Sequence, residues 1–139
     1  MLLAKCSPFE VLNSIEEDSM KDVKSGRAIS IQQPFVELIL IGKKKYEYRS
    51  RPTKIRGRVY LYAAKKPGAA ERWKKTGFEP GDLATGLIVG SVEIIDCIYF
   101  EKLQCYGYKL KNPKRYRKAV PPRDHPQPCF FFPFGPKLL

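Results

Sequence analysis

The chain has 139 residues, 43% hydrophobic and 29% charged, a balance that excludes a disordered polymer and allows one modest core. No apolar run reaches the roughly 18 residues that a membrane-spanning helix needs, so no membrane partner is expected. Lysine and arginine total 26 against 14 acids, a net charge of +12 at pH 7 that favours anionic partners.

The chain opens MLLAKCSPFE, where Lys5 and Glu10 interrupt any apolar signal region, so a cytoplasmic location is expected. Residues 1–26 read as an N-terminal extension, partly acidic and partly flexible, ending at Gly26 as a hinge. Within it FEVLNSI (9–15) predicts one or two helical turns. The domain proper is expected to run over residues 27–139.

AISIQ (28–32) has β-branched residues at 29 and 31 and predicts a strand. A short helix follows over QPFVELILIG. Pro34 suits its first position, Gln33 its cap and Gly42 its left-handed stop. Glu37 is the only charge from Phe35 to Ile41, so this helix is expected to be buried. KYEYRS (45–50) alternates, with Lys45, Glu47 and Arg49 on one face and Tyr46 and Tyr48 on the other. The tyrosines are expected to face the core with their hydroxyls at its rim.

RPTKIRG predicts a basic turn, RVYLYAA (58–64) a strand, and residues 69–75 a short helix. EPGD (79–82) predicts a turn before ATGLIVGSVEIID (84–96), a long strand that is apolar on both faces. IYFEKL (98–103) and YGYKL (106–110) predict two shorter strands. NPKRYRKAVPPRDHPQP is expected as a basic, proline-rich loop, and CFFFPF (129–134) as an edge strand, because Pro133 lacks an N–H. The fold class is therefore α+β: five to six mixed or antiparallel strands closing into a small β-barrel, with two or three short helices.

Charge is unevenly spread. Residues 42–75 hold thirteen bases and two acids; residues 79–101 hold five acids and no base; residues 102–118 hold seven bases and no acid. Two basic blocks around an acidic one predict a polarised surface suited to a polyanion, RNA or DNA before an acidic membrane. The four cysteines show no C-x-x-C spacing and His125 is the single histidine, so no metal and no cofactor are expected. His125, in RDHPQP, reads as an exposed loop residue. Trp73, in ERWKK, either packs against the sheet or offers a stacking face to an unpaired base.

The order Gly42, Lys44, Glu47, Arg49 matches G-x-K-x-x-E-x-R, and with it the chain resembles the ASCH domain family. ISIQQPF, RGRVYLYA, GLIVGSVEIIDC and KNPKRYRK with the aromatic strand after it extend the likeness over residues 27–134. The resemblance implies a PUA-like barrel whose cleft is lined by Lys44, Glu47 and Arg49. It also implies RNA or nucleotide-like ligands, and membership for some relatives in transcription coactivators. A bacterial branch is similar to acetylcytidine amidohydrolases, in which the signature lysine activates a threonine three residues on. Here that position is Glu47, which removes that nucleophile.

The first functional reading is an RNA-binding module, with DNA or a nucleotide as lesser ligands, contacted by Ser30, Gln33, Lys44, Glu47, Arg49, Arg51 and Trp73. The alternative is a hydrolase of a small amide or modified nucleoside, with Lys44 and Glu47 as its catalytic pair. A third reading has the acidic N-terminal segment masking the basic face until a partner displaces it.

Overall fold

The computed structural model describes residues 20–124 and 126–135, so the expectations at Cys6, FEVLNSI (9–15) and His125 lie outside the described residues. Six strands and two short helical segments follow in order: β1 (Ala28–Ile31), α1 (Phe35–Leu40), β2 (Tyr46–Arg49), β3 (Gly57–Ala63), a 3-10 turn (Ala70–Trp73), β4 (Leu87–Phe100), β5 (Cys105–Val120) and β6 (Phe130–Phe131). They form one mixed sheet in the order β2-β5-β4-β3-β1-β6. Among the described strands only β1 and β3 run parallel. Their connection leaves the sheet through α1 and places β2 at the far edge, as a parallel pair requires a crossover.

The expected closed barrel is not formed by backbone pairing: β2 and β6 stand at opposite ends of the ladder. Side chains nevertheless bring the two ends together. Arg49 of β2 donates to the Ser30 carbonyl of β1 at 2.7 Å. Tyr108 of β5 stacks on Phe130 of β6, with centroids 6.3 Å apart. The sheet is therefore strongly curled, with an opening between its ends that side chains span.

Two cores lie on either side of β3, whose residues Val59–Ala63 are all buried. On one side Val59, Leu61 and Ala63 pack with Ile29 and Ile31 of β1, Val36 and Ile39 of α1, and Val92 and Ile94 of β4. On the other, Tyr60 and Tyr62 pack with Ala28, Ile88, Tyr116, Phe131 and Val23. Val23 belongs to the expected extension, and the described end of that segment docks on the sheet. Tyr60 donates to the Met20 carbonyl at 3.1 Å, and Lys114 pairs with Asp22 at 2.8 Å.

Residues 112–120, expected as a loop, are the second half of β5. Asn112 and Pro113 lie in a bulge, opposite Val92 between the pairs Glu93↔Lys111 and Ser91↔Lys114. A bulge tolerates a residue with no N–H to give. Beyond it Tyr116 returns to the core, Lys114 and Arg115 turn to Asp22 and Glu37, and Arg117 and Lys118 are exposed. IYF (98–100), expected as a separate strand, is the end of β4.

Gln33 anchors the entry to α1. It is 2% exposed. Its Oε1 accepts from the Glu37 N–H at 3.0 Å, its Nε2 donates to the Ala84 carbonyl at 3.1 Å, and its own carbonyl accepts from the Gly68 N–H at 2.7 Å. Gln33→Ala strands a helix N–H and a loop carbonyl, and is expected to cost about 2–3 kcal/mol in urea unfolding. A loss under about 0.5 kcal/mol contradicts this anchoring role.

Candidate functional site

The signature residues owe their placement to the end of α1. Gly42, at φ +83, reverses the chain, and the Lys43 and Lys44 N–H groups both donate back to the Leu38 carbonyl at 2.9 and 3.0 Å. A residue with a Cβ disfavours this backbone, which explains the glycine. The reversal delivers Lys44 to the rim of the sheet opening and starts β2 at Tyr46.

Along β2 the inward face is the charged one. Glu47 is 6% exposed and Tyr48 43% exposed, the reverse of the expectation that the tyrosines fill the core. The reason is neutralisation. Arg49 donates to Glu47 Oε2 through Nε at 3.0 Å and through Nη2 at 2.7 Å, and Lys44 Nζ lies 3.6 Å from Oε1. The same Nη2 bonds the Ser30 carbonyl. A buried carboxylate with two cationic partners is tolerated where an unpaired one is not. Tyr46 and Tyr48, displaced outward, pack on Phe100 instead.

Around this cluster opens a recess of about 430 Å³, lined by Ser30, Gln32, Phe35, Lys44, Glu47, Tyr48, Arg49, Ala64, Arg72, Pro128 and Cys129. Three cations and one carboxylate face it. The Lys44 ammonium lies 5.0 Å from the Phe35 ring centroid and 4.9 Å from that of Tyr48, and the Arg72 guanidinium 5.3 Å from Phe35. Burial pushes the Lys44 ammonium below the ordinary lysine range; Glu47 pulls it back up, and Arg49 and Arg72 press it down again. Lys44 is thus a cation held more by its surroundings than by water.

Of the seven residues singled out in the sequence, Ser30, Lys44, Glu47 and Arg49 line the recess. Gln33 lies behind it, with its polar atoms spent on the fold. Arg51 is exposed outside it, and its carbonyl accepts from the Tyr108 hydroxyl at 2.7 Å. Trp73 is 5% exposed and its indole N–H donates to the Gly68 carbonyl at 3.0 Å, so it packs and offers no open face. Sequence reasoning missed Arg72, Phe35, Gln32 and Cys129, which arrive from other elements and carry no local signal. Tyr48 was assigned to the wrong face.

The ASCH domain family matches residues 29–121. The chain belongs to the ASCH domain family. Activating signal cointegrator 1 of Homo sapiens is 33% identical to it over 95 residues, 60% of this chain and 16% of that protein. Activating signal cointegrator 1 of Mus musculus is 30% identical over 136 residues, 81% of this chain and 23% of that protein. The chain therefore spans less than a quarter of these relatives. In this ASCH domain the recess lies within the matched segment except for its Pro128 and Cys129 wall.

If Glu47 is the group that keeps Lys44 charged, Glu47→Gln lowers the Lys44 pKa further. NMR titration of the side chain, assigned through Lys44→Arg, reads this directly. An unchanged or raised titration point in Glu47→Gln contradicts the electrostatic assignment.

Proposed function

We propose that the recess binds one nucleotide unit of an RNA chain. The observation that carries this reading is the convergence of Lys44, Arg49 and Arg72 with a single carboxylate around a volume in the range of small-ligand sites. Glu47 and Ser30 fix the Arg49 guanidinium through Nε and Nη2, which leaves Nη1 to donate to a phosphate or base edge. Lys44 and Arg72 supply charge for phosphate. Glu47 Oε1, which accepts no hydrogen bond from Arg49, is the acceptor for an exocyclic amine. Phe35 and Tyr48 supply ring surface for a base.

Two further observations support the reading. Residues 42–75 and 102–118 hold the basic surplus, which suits a backbone-tracking surface. The relatives are named as activating signal cointegrators, and the ASCH family resembles RNA-binding PUA-like domains. The curled sheet is read here as a PUA-like barrel left open on its recess side.

Binding of labelled single-stranded RNA, followed by anisotropy at 50 and 200 mM salt (about a fourfold step), tests the proposal. With two phosphate contacts, at Lys44 and Arg72, the affinity is expected to fall about sevenfold over that range. Lys44→Ala with Arg72→Ala is expected to weaken binding about tenfold and to flatten the salt dependence. Binding that ignores salt, or that survives the double variant unchanged, rejects the recess as the site.

One observation favours a second reading. A lysine of depressed pKa beside a carboxylate is suited to amide chemistry, with Lys44 accepting a proton and Glu47 orienting it. On that reading water attacks the acetyl carbonyl as Lys44 takes its proton, and the C–N bond breaks as that proton passes to the departing amine. The release of acetate from acetylated cytidine is then lost in both Lys44→Ala and Glu47→Gln. Turnover that persists in either variant excludes this pair as its cause.

A further inference from the structure

The face of the sheet opposite Glu47 carries three aromatic rings that the core does not use. Tyr46 and Tyr48 project from β2 on this side, and Phe100 reaches them from the end of β4 across β5. The two tyrosine rings lie 6.2 Å apart at an interplanar angle of 21°, and Phe100 meets each edge-on at 5.4 and 5.8 Å. The group rests on Gly107. A Cβ there would fall 2.4 Å from Phe100 and 3.1 Å from Tyr46, so the close seating of the rings requires glycine. Lys109 pairs with Tyr46 across the strands and is exposed.

This face is continuous with the recess. Tyr48 belongs to both: it packs with Tyr46 and Phe100 and stands 4.9 Å from the Lys44 ammonium. Tyr48 is exposed and Tyr46 and Phe100 are half-buried. Partly exposed rings with a cation beside them can hold a single strand, bases on π-faces and phosphate on the cation. The tyrosines lie within a segment of thirteen bases and two acids, whereas Phe100 belongs to a segment of five acids and no base, and Asp96 flanks Lys109 across the strands.

We propose that Tyr46, Tyr48 and Phe100 form a stacking platform for the nucleotide adjoining the one in the recess, so that a single-stranded RNA crosses the β2 edge. This rests on the recess reading and extends it from one nucleotide to at least two. Base identity on the platform is immaterial, because every base presents a π-face.

Uridine monophosphate and a three-nucleotide oligouridine, titrated by calorimetry, separate the two sites. The wild-type protein is expected to hold the trinucleotide about tenfold more tightly than the monophosphate. Tyr46→Ala, outside the recess, leaves the monophosphate affinity unchanged and removes the trinucleotide advantage, whereas Tyr46→Phe retains it. Gly107→Ala, which pushes Phe100 aside and crowds Tyr46, reduces the advantage as well. A trinucleotide advantage that survives Tyr46→Ala overturns the platform while leaving the recess standing. Trinucleotide binding that needs Tyr46 but shows no monophosphate affinity and no effect of Lys44→Ala rejects the recess, and with it the two-nucleotide path. Absence of both bindings rejects both. Sedimentation without RNA adds a further outcome: self-association abolished by Tyr46→Ala assigns the rings to contact between copies and overturns the proposal.

Discussion

A carboxylate taken out of water must be neutralised where it lies, and Glu47 is the residue through which that requirement shapes this domain. Arg49 supplies two bonds to it and Lys44 a second positive charge, and the same guanidinium reaches the Ser30 carbonyl at the other end of the sheet. That single nitrogen ties β2 to β1 where no backbone ladder does. Because strand residues alternate, turning Glu47 inward turns Tyr46 and Tyr48 outward. The recess and the aromatic face are therefore two results of one choice of facing. Arg49 and Glu47 are two residues apart on the same strand, so the pair forms with little loss of chain entropy.

Hydropathy pattern led to the opposite facing. Two tyrosines alternating with charged residues read as a core face, since sequence alone does not reveal that the charges cancel one another. The loop expected at 112–120 failed for a related reason. Pro113 and the run of bases argue against a strand, yet the bulge absorbs the proline, and Asp22, Glu37 and water take up the lysines and arginines. By contrast β1, α1 and the reversal at Gly42 were legible, because their signals are local: β-branched alternation, a short apolar run and a glycine where the backbone turns left-handed.

The recess divides along the same line. Lys44, Glu47 and Arg49 stand within six positions, on β2 and the turn that leads into it, so their convergence was readable from spacing. Arg72 and Phe35 meet the same space from a 3-10 turn and a helix, and Cys129 from the segment before β6, contacts set by the curl of the sheet. Gln33 shows how a polar residue in the right neighbourhood can serve the frame instead of the opening. Its amide spans the helix start and the loop at Ala84, and it lies too deep to line the space it supports.

The pair Glu37–Arg115 joins α1 to β5 through two bonds of 2.9 and 2.6 Å across 78 positions of sequence. Its members differ in surroundings: the Glu37 side chain is 11% exposed and that of Arg115 51%. Removing the carboxylate frees a guanidinium that water readily takes. Removing the guanidinium leaves a carboxylate that water barely reaches. Mutational tolerance at the two positions is therefore unequal, and the permissive order of change is acid first, base second. A lineage that lost this bridge would pass through the helix before the strand.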